Sequence, residues 1–392
     1  MKEVYIVSGV RTALGSFQGS LAEVPTVRLG ATVVAEAAAR ANVPVDAVDD
    51  LIMGCVLPGG LGQAPARQSC IYGGLPEKVR CLTINKVCGS GLKSVMLATA
   101  AIRAGDSGVA IAGGMENMSL APYVLHKART GLRMGNANLV DMMVNDGLWD
   151  PYHDYHMGMA AELCASEMGI SREDQDAYAV RSYRKAVKAV EAGEFDREIV
   201  AVEIKDRKGN IQKVNKDEEP FKANLDKLPS LKPAFKKDGT VTAANASSIN
   251  DGAAAVLLAD EDAVKRLGLQ PRFRVVGYAE HSQKPEWFTT APSQAIKNLW
   301  TRIGWTDKDV DIYEINEAFA VVSLANNRLA GIDESKVNLR GGAVALGHPI
   351  GASGARVLVT LMHLLEDRKM RRGICSLCNG GGEAPALAIE RL

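Results

Sequence analysis

Gly341-Gly342-Ala343-Val344-Ala345-Leu346-Gly347-His348-Pro349-Ile350-Gly351-Ala352-Ser353-Gly354 is the stretch on which the reading of the chain turns. It is too rich in glycine for a core element, and glycine lets the backbone take positive φ and approach a ligand closely. Pro349 fixes its own φ and drives His348 towards an extended conformation. Residues 355–365 read as a helix, so the loop delivers backbone N–H groups near a helix start. A histidine held there can donate to a developing anion or shuttle a proton. The plainer alternative is a tight strand–helix turn in which His348 only caps backbone. The end of this run recurs: Ser353-Gly354-Ala355-Arg356-Val357-Leu358 resembles Ser90-Gly91-Leu92-Lys93-Ser94-Val95. Each lies in a strand–glycine loop–helix–strand unit, and the closing strands end in Gly113-Gly114 and in Gly380-Gly381-Gly382. Upstream, Val48-Asp49-Asp50-Leu51-Ile52 echoes Val310-Asp311-Ile312-Tyr313-Glu314. An internal repeat of this kind predicts two similar α/β halves packed about a pseudo-twofold axis. Cys88 and His348 then sit on equivalent loops of the two halves.

Working outward, residues 4–8 and 50–56 read as strands, and residues 27–41 and 63–72 as helices. Residues 81–85 lead to Cys88-Gly89-Ser90-Gly91, and a helix over 92–104 is apolar almost all round, which marks it as buried. With the strand at 109–114, this alternation predicts a mainly parallel sheet with both faces covered. Between 119 and 248 the charged residues increase and the alternation stops, which reads as an insertion lying over the sheet. Within it Ser171 is the expected N-cap of a helix, whose stripe Val180, Tyr183, Val187 and Val190 is core packing rather than a cofactor box. Regular alternation resumes at Asp251.

The whole chain sets wide limits. Its 392 residues are 47% apolar and 23% charged, with 46 Lys plus Arg against 46 Asp plus Glu. No global field therefore recruits nucleic acid or an anionic membrane, and a polyanionic ligand needs a local basic patch. Met1-Lys2-Glu3 runs straight into Val4-Tyr5-Ile6-Val7, leaving no room for a signal-peptide core, and no apolar run reaches the ~18 residues of a membrane span. The seven cysteines are odd in number and scattered, so a reduced, cytoplasmic chain is expected.

Cys88 follows a strand and opens a buried helix, where free N–H groups and the helix dipole favour a thiolate of lowered pKa. Cys55, Cys70, Cys81 and Cys164 read as inert core. Cys375 and Cys378 form a C-x-x-C, but strand side chains alternate and no second pair completes a metal site. Cys375 is thus expected in the core and Cys378 on the loop side, with no metal bound. Phosphate-loop and serine-elbow patterns are missing. Two thiols, a histidine and Asn316, all on loops after strands, suit acyl transfer in which one thiol is acylated and the other moves a proton on carbon.

Cys88-Gly89-Ser90-Gly91, Asn316-Glu317-Ala318-Phe319, Gly347-His348-Pro349 and Cys378-Asn379-Gly380-Gly381-Gly382 together resemble the thiolase family. The likeness is greatest to its bacterial biosynthetic branch, the acetyl-CoA acetyltransferases, and it spans essentially the whole chain. It implies two βαβαβαββ core domains in a five-layered arrangement: residues 1–118 with 249–270, and residues 271–392. The inserted loop domain, 119–248, would bind coenzyme A and drive oligomerisation. It implies reversible Claisen condensation of two acetyl-CoA to acetoacetyl-CoA and CoA, through an acetylated cysteine. By the same resemblance Cys88 is the nucleophile, His348 activates it, and Cys378 is acid and base at the substrate α-carbon. Asn316 holds a water in one oxyanion hole, and the N–H groups of Cys88 and Gly380 form the second. His156, Met157, Ser247, Ala318 and Phe319 would line the pantetheine tunnel, with Lys222 towards the nucleotide end. Phe288 takes a place where biosynthetic relatives often carry Met, with Trp287 as its rival for the acyl pocket. The chain departs from the family at Ala244, where Gly is usual, and at Asn379, where Ile is commoner. Coenzyme A enters as substrate with no permanent cofactor, and residues 119–143 resemble a tetramer-forming loop. The alternatives are a broader degradative 3-ketoacyl-CoA thiolase and, from another class, a silent thiolase-like lipid carrier, which usually lacks some of the four catalytic side chains.

Overall fold

A computed structural model describes residues 2–205 and 208–392; Met1, where the expected leaderless start begins, lies outside them. Its sheet runs through β1 (Val4–Thr12), β2 (Asp50–Gly54), β3 (Arg80–Ile84), β4 (Val109–Asn117), β5 (Asn250–Asp260), β6 (Phe273–Ser282), β7 (Ile312–Ile315), β8 (Arg372–Ser376) and β9 (Glu383–Arg391). Their spatial order is β7-β8-β9-β6-β1-β5-β4-β2-β3, with the short strands Gly15–Ser16 and Ile199–Val200 paired to β5 and β1. At the middle, β1 and β6 meet in a brief antiparallel contact, Tyr5 opposite Arg274 and Ile6 opposite Phe273. Outward from that seam the two sides match: β5 answers β9, β4 answers β8, and β2 answers β7, each pair with the same sense. Among the described residues, β3 is the one strand on the main path without a counterpart. The repeat read from Ser90-Gly91 and Ser353-Gly354 is thus a pseudo-twofold in the fold.

The sheet is mixed rather than mainly parallel, which corrects the expectation from strand–helix alternation. Five of the eight neighbour pairings along the path are antiparallel. Each half ends in two strands that pair directly and antiparallel, β4 with β5 and β8 with β9. A short loop joins β8 to β9, as a direct antiparallel return allows, whereas the insertion with its helices lies between β4 and β5.

Side-chain alternation separates the layers. On β5, Ala255, Leu257 and Ala259 face one cluster, with helices α1 (Thr26–Arg40) and α2 (Pro65–Tyr72). Ala254, Val256 and Leu258 face the central cluster, shared by α3 (Ser90–Ala104) and the last helix of the chain, Ser353–Asp367. In the other half, Ala384, Ala386 and Ala388 of β9 face a third cluster with Ala291–Ile303, while Leu387 and Ile389 join the central one. Helix–sheet–helix–sheet–helix is the resulting succession.

The two central helices cross at the repeated glycines. A Cβ on Gly91 would lie 2.7 Å from the Ala355 N, and one on Gly354 would overlap the Leu92 N. Backbone therefore rests on backbone at the crossing, which only glycine allows. That contact brings the starts of both helices together, and with them the loops carrying Cys88 and His348.

In the insertion, α4 (Met157–Met168) is followed by α5 (Arg172–Glu191), which begins with a capping box of Ser171 and Asp174. Its buried face is Tyr178, Ala179, Ser182, Tyr183, Ala186 and Ala189, while Val180, Val187 and Val190 are half-buried. The expected valine stripe is therefore the margin of the packed face, because small residues let α5 sit close to the cores. Later in the chain, α6 (Ala291–Ile303) and α7 (Ala320–Ala330) precede α8 (Ser353–Asp367).

Candidate active site

β3 ends at Ile84 and α3 begins at Ser90, so the chain turns sharply between them. Val87 takes φ 48, a left-handed conformation that costs a β-branched residue about 1–3 kcal/mol. Ser90 over-determines the turn: its Oγ accepts from the Lys86 N–H at 2.8 Å and donates to the Val87 carbonyl at 2.6 Å. Cys88 follows the strained residue and lines the cavity. Its own N–H and that of Gly380 both point at its sulfur, yet enclosure by protein outweighs them and pushes the thiol up to about 12. The helix start does not give a resting thiolate, against the expectation from its position; burial is the larger effect.

Gly347 has φ 103, and a Cβ there would overlap the Asn250 side chain. Asn250 in turn accepts the His348 N–H at 2.9 Å. The imidazole Nδ1 lies 2.6 Å from Ser353 Oγ, whose hydroxyl donates to the Pro349 carbonyl. Ser353 oxygen must then accept, which puts the proton on Nδ1 and leaves Nε2 as a lone pair. Asn316 Nδ2 stands 3.3 Å from that Nε2. His348 thus binds side chains through both ring nitrogens, and the backbone-capping alternative falls. Burial, and then the charge of Arg356, lower it to about 3, so the ring is neutral.

Cys378 follows β8, fully buried against Phe288, Ala318 and Phe319. Burial first, and then the nearby Cys88, push its thiol well above the ordinary range. It is not among the residues lining the cavity, though it lies close enough to Cys88 to feel its charge. Cys375 belongs to the central cluster, its sulfur 3.8 Å from the Leu387 carbonyl, so the two halves of the C-x-x-C face different layers as alternation predicts.

The cavity holds about 280 Å³. Cys88, His348 and Gly380 form its reactive end, and His156, Met157, Ser247, Ala318, Phe319 and Phe288 all line it. His156 caps α4, its Nδ1 accepting from the Gly158 N–H at 3.0 Å, and stacks on Phe235 with centroids 4.6 Å apart. Of the two acyl-pocket rivals, Phe288 lines the cavity and Trp287 does not. Lys222 is exposed after a short turn, Glu219–Phe221, and is not among the lining residues; its expected place was the nucleotide end of coenzyme A, outside this cavity.

Several residues that shape the site carried no role in the sequence reading. Glu116 is fully buried and accepts from the N–H groups of Val56, Leu57 and Gly351, clamping the histidine loop to the nucleophile's half. Burial raises it to about 7. Glu317 accepts from Tyr178, Ser182 and Asn338, tying α5 to the Asn316 loop. Glu317 lies inside the quoted Asn316–Phe319 motif, and Glu116 ends the apolar run that begins at Val109, where an acid was the available signal. Phe235 had none, because its neighbours Lys236 and Lys237 read as solvated chain.

The sequence matches two family descriptions, "Thiolase, N-terminal domain" over residues 4–262 and "Thiolase, C-terminal domain" over residues 269–391. The acetyl-CoA acetyltransferase of Cupriavidus necator is 53% identical over 392 residues, covering all of both chains. That of Pseudomonas aeruginosa is 50% identical with the same coverage. That of Schizosaccharomyces pombe is 47% identical over 391 residues, covering 100% of this chain and 99% of its own. Two paired α/β halves, a thiol on one glycine loop, a histidine on the other and these full-length likenesses have one reading: the chain belongs to the thiolase family.

Proposed function

We propose that the chain is an acetyl-CoA acetyltransferase, joining two acetyl-CoA into acetoacetyl-CoA and CoA and running the thiolysis in reverse. The observation that carries this is the meeting of Cys88, with two N–H groups aimed at its sulfur, and a neutral His348 at one end of a narrow apolar cavity. Cys88 sulfur attacks the thioester carbon while His348 Nε2 takes its proton, and that proton leaves on CoA. His348 Nε2, emptied by that departure, next takes the Cys378 proton, and the ionised Cys378 removes the α-proton of a second acetyl-CoA. The resulting carbanion attacks the acetyl group on Cys88, and the proton held on His348 goes to the departing Cys88 sulfur. A thiol whose pKa is pushed up is the stronger base once ionised, which suits abstraction from carbon. The Cys88 and Gly380 N–H groups receive the acetyl-enzyme oxygen; the Nε2–H that His348 carries in the second half-reaction, with a water held by Asn316, receives the thioester oxygen of the second substrate.

The division of labour follows the chain: residues 1–118 with 249–270 supply the nucleophile, 271–392 supply Asn316, His348 and Cys378, and 119–248 receive coenzyme A. The seating of β5 between β1 and β4 supports the first assignment. Coenzyme A is substrate here, and no permanent cofactor has a part. All seven cysteines are free, which fits a reducing compartment, and we place the chain in the cytoplasm. Among the described residues no helix is long and apolar enough to cross a membrane.

Phe288 sets the substrate range. Being stiffer and bulkier than Met, it leaves room for a four-carbon ketoacyl group. In thiolysis assays across chain lengths, acetoacetyl-CoA is expected to be turned over fastest. Faster cleavage of ten-carbon substrates would instead support the broader degradative reading.

Assembly as a tetramer, a dimer of dimers, is proposed from the hairpin of Tyr123–Leu125 with Leu139–Asp141. It presents Tyr123, Leu132, Met134 and Leu139 to solvent, each more than half exposed, and such apolar exposure marks an association surface. Light scattering should give four times the chain mass; a monomer mass at micromolar concentration would refute assembly, and a dimer would refute the role of the hairpin.

A further inference from the structure

The pseudo-twofold compares Arg356 with Lys93, and the comparison is informative. In each half the leading serine of the repeat braces its loop: Ser90 holds Lys86 and Val87, and Ser353 holds His348. One turn later Lys93 reaches outward to Glu280 at 2.6 Å, only partly buried. Arg356 is 1% exposed and turns inward. A buried cation in the first turns of a helix is unfavourable twice over, through desolvation and through the helix dipole.

Its compensation is poor. Nη1 is 3.6 Å from Glu314 Oε2, and Nε and Nη1 have no hydrogen-bond partner. The fold alone does not require such a group, since the equivalent helix does without it. Nη2, however, is 3.5 Å from Asn316 Oδ1. A donor on that oxygen fixes the amide so that Nδ2, not Oδ1, faces His348. Ser353 and Arg356, three residues apart on one face of α8, therefore align the two polar partners of the reaction: Ser353 sets the imidazole and Arg356 sets the amide.

We propose that Arg356 is a positioning residue that acts through Asn316, holding its amide nitrogen towards the site where the second thioester oxygen binds. The proposal rests on the acetyltransferase reading given above. It makes Arg356 matter to the enolate-forming half-reaction, where Asn316 serves, and little to acetylation of Cys88, which uses the Cys88 and Gly380 N–H groups and an imidazole whose neutrality comes first from burial and only then from the Arg356 charge.

The test separates the half-reactions. Arg356→Met is combined with Glu314→Gln, so that no unpaired carboxylate is left buried, and Arg356→Lys is made alone to retain the charge. Acetyl-Cys88 formation from acetyl-CoA, read by mass spectrometry, is expected to stay close to wild type in both. Exchange of acetyl-CoA α-protons with heavy water should fall on the order of 10²-fold in the double variant, the scale of a misplaced catalytic group, and by less in Arg356→Lys. In an Asn316→Ala background neither variant should add a further loss, because the path through Asn316 is already gone. Equal losses in both half-reactions, or additive losses in the Asn316→Ala background, would overturn the proposal. If the double variant does not fold, Arg356→Lys carries the test alone. Failure of the wild-type chain to form acetyl-Cys88 would overturn the functional reading instead.

Discussion

Cys378→Ala is expected to form acetyl-enzyme from acetyl-CoA and then to stall. The label should appear on the peptide containing Cys88, while condensation and α-proton exchange both drop. Loss of a general base costs on the order of 10²–10⁴ in rate. Cys378 has no part in the first half-reaction, which needs only the Cys88 nucleophile, His348 as base and the N–H donors. Burial is the first influence on both thiols, and the nearby Cys88 raises Cys378 further. Cys88→Ala should abolish acetyl-enzyme and all turnover. Near-normal condensation by Cys378→Ala, or label on Cys378, would reverse the assignment of the two thiols.

How far the sequence spoke for this site depends on whether a residue's task is local. Cys88, His348, Asn316 and Cys378 each sit in a short motif whose glycine and proline pattern fixes backbone geometry, so their placement at loop starts was legible. The repeat of Ser90-Gly91 in Ser353-Gly354 made the pseudo-twofold legible too, because the glycine contact it encodes is a backbone contact. Long-range balances were not. The resting state of Cys88 is decided by enclosure from chain segments far away in sequence, which overrides the helix start visible locally. Val87 at φ 48 gave no sign, since valine is among the last residues expected there. The sheet's mixed sense escaped for a similar reason: β5 returns after an insertion of more than a hundred residues, and neither its sense nor its neighbours are written in its own apolar run. Lys222 stands apart, its place towards the nucleotide end having been inferred from the family pattern at a point where this chain departs from it.

His348→Ala is expected to impair both half-reactions, with combined losses on the order of 10⁴ from removing a base and an oxyanion donor together. The sharper expectation concerns pH. In the substrate-free protein Cys88 is pushed up to about 12 and His348 down to about 3, so thiol and imidazole are both neutral across the physiological range. Proton transfer then takes place within the reaction and no pre-formed ion pair is needed. Wild-type acetylation should consequently be flat from roughly pH 5 to 9, because neither group titrates in that interval. His348→Ala removes the internal acceptor but leaves burial as the main influence on the thiol, which stays far above neutrality. Only the solvent-formed thiolate can then attack, and below its pKa that fraction grows about tenfold for each pH unit. Acetylation of the variant should therefore climb steadily between pH 7 and 10 and narrow its deficit against wild type. Rapid-quench measurement of acetyl-Cys88 across that range reads both curves. A wild-type limb between pH 6 and 8 that persists in Glu116→Gln, which removes the carboxyl raised to about 7, would mean that one member of the pair ionises before substrate arrives. A variant whose rate did not rise with pH would mean that His348 does something other than take the Cys88 proton.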